Sequence, residues 1–86
     1  MTTYPPLDLT LREQRIHDAE ILDRLTRSPQ ATSLLAMFDG MRPRWAEDAA
    51  ERLAIAGMIR EAPGPGEMIE ATATGRAWLA RNWRAA

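Results

Sequence analysis

The chain has 86 residues, 45% of them apolar and 27% charged, with 11 basic against 12 acidic side chains for a formal net charge of -1. That length supports one domain around a modest core, and the apolar fraction argues against wholesale disorder. The absence of cysteine excludes disulfides, thiolate zinc sites and cysteine nucleophiles, and the near-neutral charge weakens any expectation of strong nonspecific nucleic-acid binding, which depends on neutralising phosphates.

Every basic residue is an arginine. Arginine presents a rigid fork of donors suited to phosphates, guanine edges and carboxylates, although a genome rich in G and C yields the same bias without a functional cause. No apolar run reaches the roughly 20 residues that span a bilayer, and no secretory signal is visible, so a cytoplasmic, non-membrane protein is expected. A domain this small, without covalent or metal staples, often gains stability by self-association.

Residues 1–10 read as an extended arm, because Tyr4-Pro5-Pro6 disfavours helix. A single domain over 11–86 follows. Thr10 and Glu13 have the spacing of a capping box, and the pattern behind them predicts a first helix over Leu11 to Arg27. Its apolar stripe comprises Leu11, Ala19, Leu22 and Leu25, widened by Ile16 and Ile21. Ser28-Pro29 breaks it. Thr32 is read as the cap of a short second helix over Ser33 to Phe38, which Asp39-Gly40 ends. Pro43 fits the first turn of a third helix that runs to about Ala56, buries Trp45, Ala49 and Leu53, and stops at Gly57.

Met58 to Ala62 reads as a strand, Pro63-Gly64-Pro65-Gly66 as a turn, and Glu67 to Thr72 as a half-buried strand, so the two form a hairpin. A last helix is predicted from Ala73 to about Arg84, with Trp78, Leu79, Asn82 and Trp83 at neighbouring positions.

Two stretches carry a family likeness. Arg52-Leu53-Ala54-Ile55-Ala56-Gly57-Met58-Ile59-Arg60 resembles the end of a recognition helix running into the first wing strand of winged helix-turn-helix regulators of MarR and PadR type. Ala71-Thr72-Ala73-Thr74-Gly75-Arg76-Ala77-Trp78-Leu79 resembles the exit from their wing, where a glycine lies inside the first turn of the next helix. The resemblance spans roughly residues 21–79. It implies a mainly α fold with a small β-hairpin: a winged helix-turn-helix of three helices, a two-stranded wing and a C-terminal helix. It also implies a transcriptional regulator, a homodimer on duplex DNA with its third helix in the major groove. No enzyme activity or cofactor is expected, because the sequence holds no Ser-His-Asp, metal or phosphate constellation and 86 residues leave little room for a deep pocket. Carried onto this chain, the implied DNA contacts are Thr32 and Ser33 on the second helix, Arg42, Arg44 and Arg52 on the third, and Arg60 on the wing.

Several residues depart from that pattern. Glu47, Asp48 and Glu51 fall on outward positions of the third helix, and the tip from Ala62 to Glu67 has no basic residue. Carboxylates repel phosphates. Arg42 stands where Ser or Thr would usually cap the helix, and Ile55 stands where the family has a polar residue, as a covered or partner-facing side chain would. The alternative is therefore a winged-helix-like protein-interaction module or a bacterial or phage inhibitor that does not bind DNA. In that reading Ile55, Trp78 and Trp83 supply the partner interface, although Trp78 also suits the core. Arg42 and Arg44 equally suit surface pairing with Glu47 and Asp48. His17 is expected on the helix surface and no metal site is expected, since one histidine among scattered acids does not supply converging ligands. The acids of the first helix, Glu13, Asp18, Glu20 and Asp23, alternate with arginines as on a solvated face.

Overall fold

A computed structural model describes residues 9–28 and 30–83. The order is α1 (Leu11–Arg27), α2 (Leu34–Met37), α3 (Arg44–Ile55), β1 (Ile59–Glu61), β2 (Ile69–Ala71) and α4 (Ala73–Asn82). The arm over residues 1–8, Pro29 and Arg84 lie outside the described residues.

α1 starts where the capping box places it. The Thr10 hydroxyl accepts from the Glu13 N–H at 3.1 Å, and the Glu13 carboxylate accepts from the Thr10 N–H at 3.1 Å and its hydroxyl at 3.0 Å. Those bonds to the ionised carboxylate hold Glu13 below its ordinary pKa. Ala19, Ile21, Leu22 and Leu25 are buried, but Leu11 is 74% exposed and Ile16 is exposed as well. The helix extends beyond the elements it packs on, so the first turns of its apolar stripe have no facing surface among the described residues.

The cap of α2 is Ser33, not Thr32: the Ser33 hydroxyl accepts from the Ala36 N–H at 3.2 Å. Thr32 instead forms an isolated antiparallel bridge with Ile69. The Thr32 N–H donates to the Ile69 carbonyl at 3.1 Å, and the Ile69 N–H to the Thr32 carbonyl at 2.6 Å. A Thr whose backbone is committed to a strand partner is extended one residue too early to cap. Asp39 and Gly40 then take positive φ values of 54° and 85° and end the turn after α2.

Pro43 lies at the N-terminal boundary of α3, which begins at Arg44, one residue later than expected. Ala46, Ala49 and Leu53 form its buried stripe, and the two alanines let α3 approach α1 closely. Trp45 is only partly buried at the edge of that core. α3 closes in a Schellman motif: Met58 N–H donates to the Leu53 carbonyl at 2.8 Å and Gly57 N–H to the Ala54 carbonyl at 3.1 Å, with Gly57 at φ 74°.

The hairpin is present, with shorter strands than expected. β1 and β2 pair antiparallel with Ile59 opposite Ala71, Arg60 opposite Glu70 and Glu61 opposite Ile69. Ile59 and Ala71 enter the core with Ile21, Leu22, Leu25, Ala46, Ala49 and Leu53. α1 lies at the centre of the packing, against α3, β2 and α4. The molecule is thus mainly helical with a two-stranded antiparallel sheet. No helix is long and apolar enough to cross a membrane among the described residues.

Thr72 ties the end of α3 to the start of α4. Its hydroxyl accepts from the Gly75 N–H at 3.1 Å and donates to the Gly57 carbonyl at 2.6 Å, while its N–H donates to the Met58 carbonyl at 2.9 Å. Thr72→Ala removes a helix cap and an interelement bond together and is expected to cost about 1–2 kcal/mol in urea unfolding. Thr72→Ser, which keeps the hydroxyl, is expected to retain most of that stability. Equal midpoints for the native chain and Thr72→Ala would contradict this role.

Candidate functional site

α3 and the hairpin carry most of the residues singled out above. Along α3, Arg44, Asp48, Glu51 and Ile55 recur on the helix face opposite the buried Ala46, Ala49 and Leu53. Ile55 is 81% exposed at the far end of this row. Glu47 and Glu51 are exposed on the helix, and Glu61 and Glu67 are exposed on the hairpin.

Each arginine named as a DNA contact faces a carboxylate. Arg42 lies between two of them, with Nε 3.2 Å from Glu47 and a terminal nitrogen 3.1 Å from Glu67. It thereby links the start of α3 to the hairpin tip. Arg44 pairs with Asp48 one turn on at 3.8 Å. Arg60 pairs with Glu70 across the ladder at 3.1 Å. Glu51 and Glu61 have no ion pair among the described residues, whereas the arginines in that position, Arg12, Arg15, Arg76 and Arg81, lie on α1 and α4.

Arg52, the implied DNA contact later on the third helix, has a partner of its own. Its guanidinium turns inward to Asp18 of α1, with Nε at 3.2 Å and a terminal nitrogen at 2.8 Å from one carboxylate oxygen. Asp18 is accordingly a packing residue rather than part of a solvated face. Burial raises its pKa, against the two bonds from Arg52 that lower it. The sequence signals the placement of Arg52 but not its partner: Arg52 follows Ala49 by three positions and precedes Leu53, so its stem flanks the buried stripe.

His17, expected on the helix surface, is partly buried. Its ring lies 4.9 Å from that of Trp45, and Nδ1 is buried with no hydrogen-bond partner among the described residues. Trp45 in turn meets Phe38 edge-on at 5.5 Å, and Arg24 caps the Phe38 ring at 4.8 Å. The stack joins α1, the end of α2 and the start of α3.

Ser33 is occupied as the α2 cap and Thr32 by its bridge, so both serve the backbone beside the site. Trp78 packs against the core while partly exposed, and Trp83 is partly buried at the end of α4, where its N–H donates to the Leu79 carbonyl. Neither stands beside Ile55 in a shared row, since Ile55 lies on α3. Between α2, α3 and the hairpin runs a groove of about 480 Å³ that residue patterns did not indicate. Leu34, Leu35, Ala50, Met68 and Ile69 line it, together with the Arg42–Glu67 pair. Comparison with family models, with curated proteins and with solved structures returns no match.

Proposed function

We propose that this chain is a winged-helix domain whose third helix and wing engage a protein rather than bare duplex DNA. The element order supports the architecture: a first helix, the short extended segment at Thr32, a helix-turn-helix, a two-stranded wing and a closing helix. The observation that carries the protein-binding reading is charge. Glu47, Glu51, Glu61 and Glu67 are exposed on α3 and the hairpin, and Arg42, Arg44, Arg52 and Arg60 are each held by a carboxylate. Bringing such a face to phosphates adds repulsion and requires breaking several ion pairs. An exposed Ile55 at the end of the same face suits a protein contact.

The second reading, a DNA-binding regulator acting as a homodimer, is favoured by the same element order and by Arg42 and Arg44 at the start of α3, where phosphates dock well. Selection from a random duplex pool at about 50 mM salt separates the two. The protein-contact reading expects no enriched sequence. Recovery of a duplex whose affinity falls steeply with salt and is lost in Arg44→Ala would replace it with the regulator reading.

A further inference from the structure

Two features of the surface remain without a role. One is the first turns of α1, where Leu11 and Ile16 are exposed beside Arg12 and Arg15. On a helix, residues four apart are neighbours, so Leu11 adjoins Arg15 and Arg12 adjoins Ile16. Leu11 and Ile16, five positions apart, thus flank two guanidinium groups that have no carboxylate partner among the described residues. The other is the groove between α2, α3 and the hairpin. Its lining is aliphatic, with Leu35 exposed, and two carboxylates, Glu47 and Glu67, share the single Arg42 beside it.

We infer that the groove of one copy receives the first turns of α1 of a second copy, Leu11 and Ile16 entering against Leu35 and Met68 while Arg12 and Arg15 meet Glu47 and Glu67. Each surface has what the other lacks. The α1 turns offer exposed aliphatic side chains and positive charge with no carboxylate partner among the described residues, and the groove offers an aliphatic lining with surplus negative charge. Aliphatic burial supplies the affinity and the charges set the orientation. The two patches differ, so a two-fold dimer makes this contact twice. The inference rests on the protein-contact reading and names its partner as another copy of this chain.

Sedimentation equilibrium of the full chain tests it, with circular dichroism to confirm folding of each variant. The native chain is expected at about twice its monomer mass at high micromolar concentration. Leu11→Glu changes an exposed position and is expected to return it to the monomer. Two charge-reversed chains are the decisive pair. Arg12→Glu with Arg15→Glu places like charges on both surfaces of one chain, and Glu47→Arg with Glu67→Arg does the same with opposite sign. Each alone is expected to be monomeric, and an equal mixture is expected to restore the dimer, because both contacts are then complementary. A monomeric native chain, a dimer unaffected by these substitutions, or a mixture that stays monomeric would each overturn the inference. If a monomeric native chain also enriches no duplex, only the identity of the partner is lost. If a duplex is enriched, the protein-contact reading fails first.

Discussion

Gly75→Ala is expected to destabilise the protein by about 3 kcal/mol, although alanine is the better helix former by about 1 kcal/mol. Gly75 lies in the first turn of α4 and is buried. A Cβ placed there would overlap the Met58 carbonyl oxygen and come within 3.0 Å of both the Met58 carbonyl carbon and Leu22 Cδ2. None of these can yield cheaply. The Met58 carbonyl accepts the Thr72 N–H, its neighbour Gly57 is held by the Schellman closure, and Leu22 is fully buried. The glycine thus permits α4 to press against the junction of α3 and β1. A control at exposed Ala77 isolates the propensity effect: Ala77→Gly is expected to cost only about 1 kcal/mol. A melting temperature that rises in Gly75→Ala would refute the close-approach account.

Arg52→Ala is expected to cost about 2 kcal/mol at neutral pH and progressively less in acid. Removing the guanidinium leaves the half-buried Asp18 carboxylate without its two bonds, so burial, opposed only by the weaker pull of His17, raises its pKa further. A carboxyl whose folded-state pKa lies above its unfolded value binds its proton more tightly when folded. Stability is therefore lost as pH rises through the folded value and regained as pH falls toward the ordinary 3.8. Asp18→Ala leaves the opposite orphan. The guanidinium does not titrate in this range, and the native Asp18 carboxyl already binds its proton more tightly when folded, so this penalty is expected not to shrink but to grow as pH falls from neutrality toward about 4. Urea unfolding of both variants across that interval distinguishes them, and parallel pH profiles would contradict the assignment of Asp18 as the responsive partner.

These two cases show which features were readable along the chain. The capping box at Thr10 and Glu13, the α1 boundaries and the stops at Gly40 and Gly57 follow from residues within one or two turns of each other. They were legible because their causes are local. Gly75 was visible as a glycine in a helix start, but the carbonyl it accommodates comes from Met58. Arg52 and Asp18 are 34 positions apart, and no periodicity within either helix names the partner. Leu11 and Ile16 fit the α1 stripe by spacing, yet burial depends on what lies opposite, which spacing does not encode. Thr32 departs from its local pattern for a similar reason. Its composition suits a cap, whereas its backbone is recruited by Ile69 from the far side of α3. At the candidate site the acidic character of α3 was legible directly, while the groove exists only once α2 and the hairpin are brought together.

The bridge between Thr32 and Ile69 bears on the order in which the chain assembles. β2 meets β1 through a short local turn but meets Thr32 only after α2 and α3 have been enclosed in the intervening loop. Closing that loop loses more chain entropy than closing the hairpin, and two backbone hydrogen bonds alone return little against it. Helix packing must already hold the segment ahead of α2 in place, which makes this contact a late event in assembly.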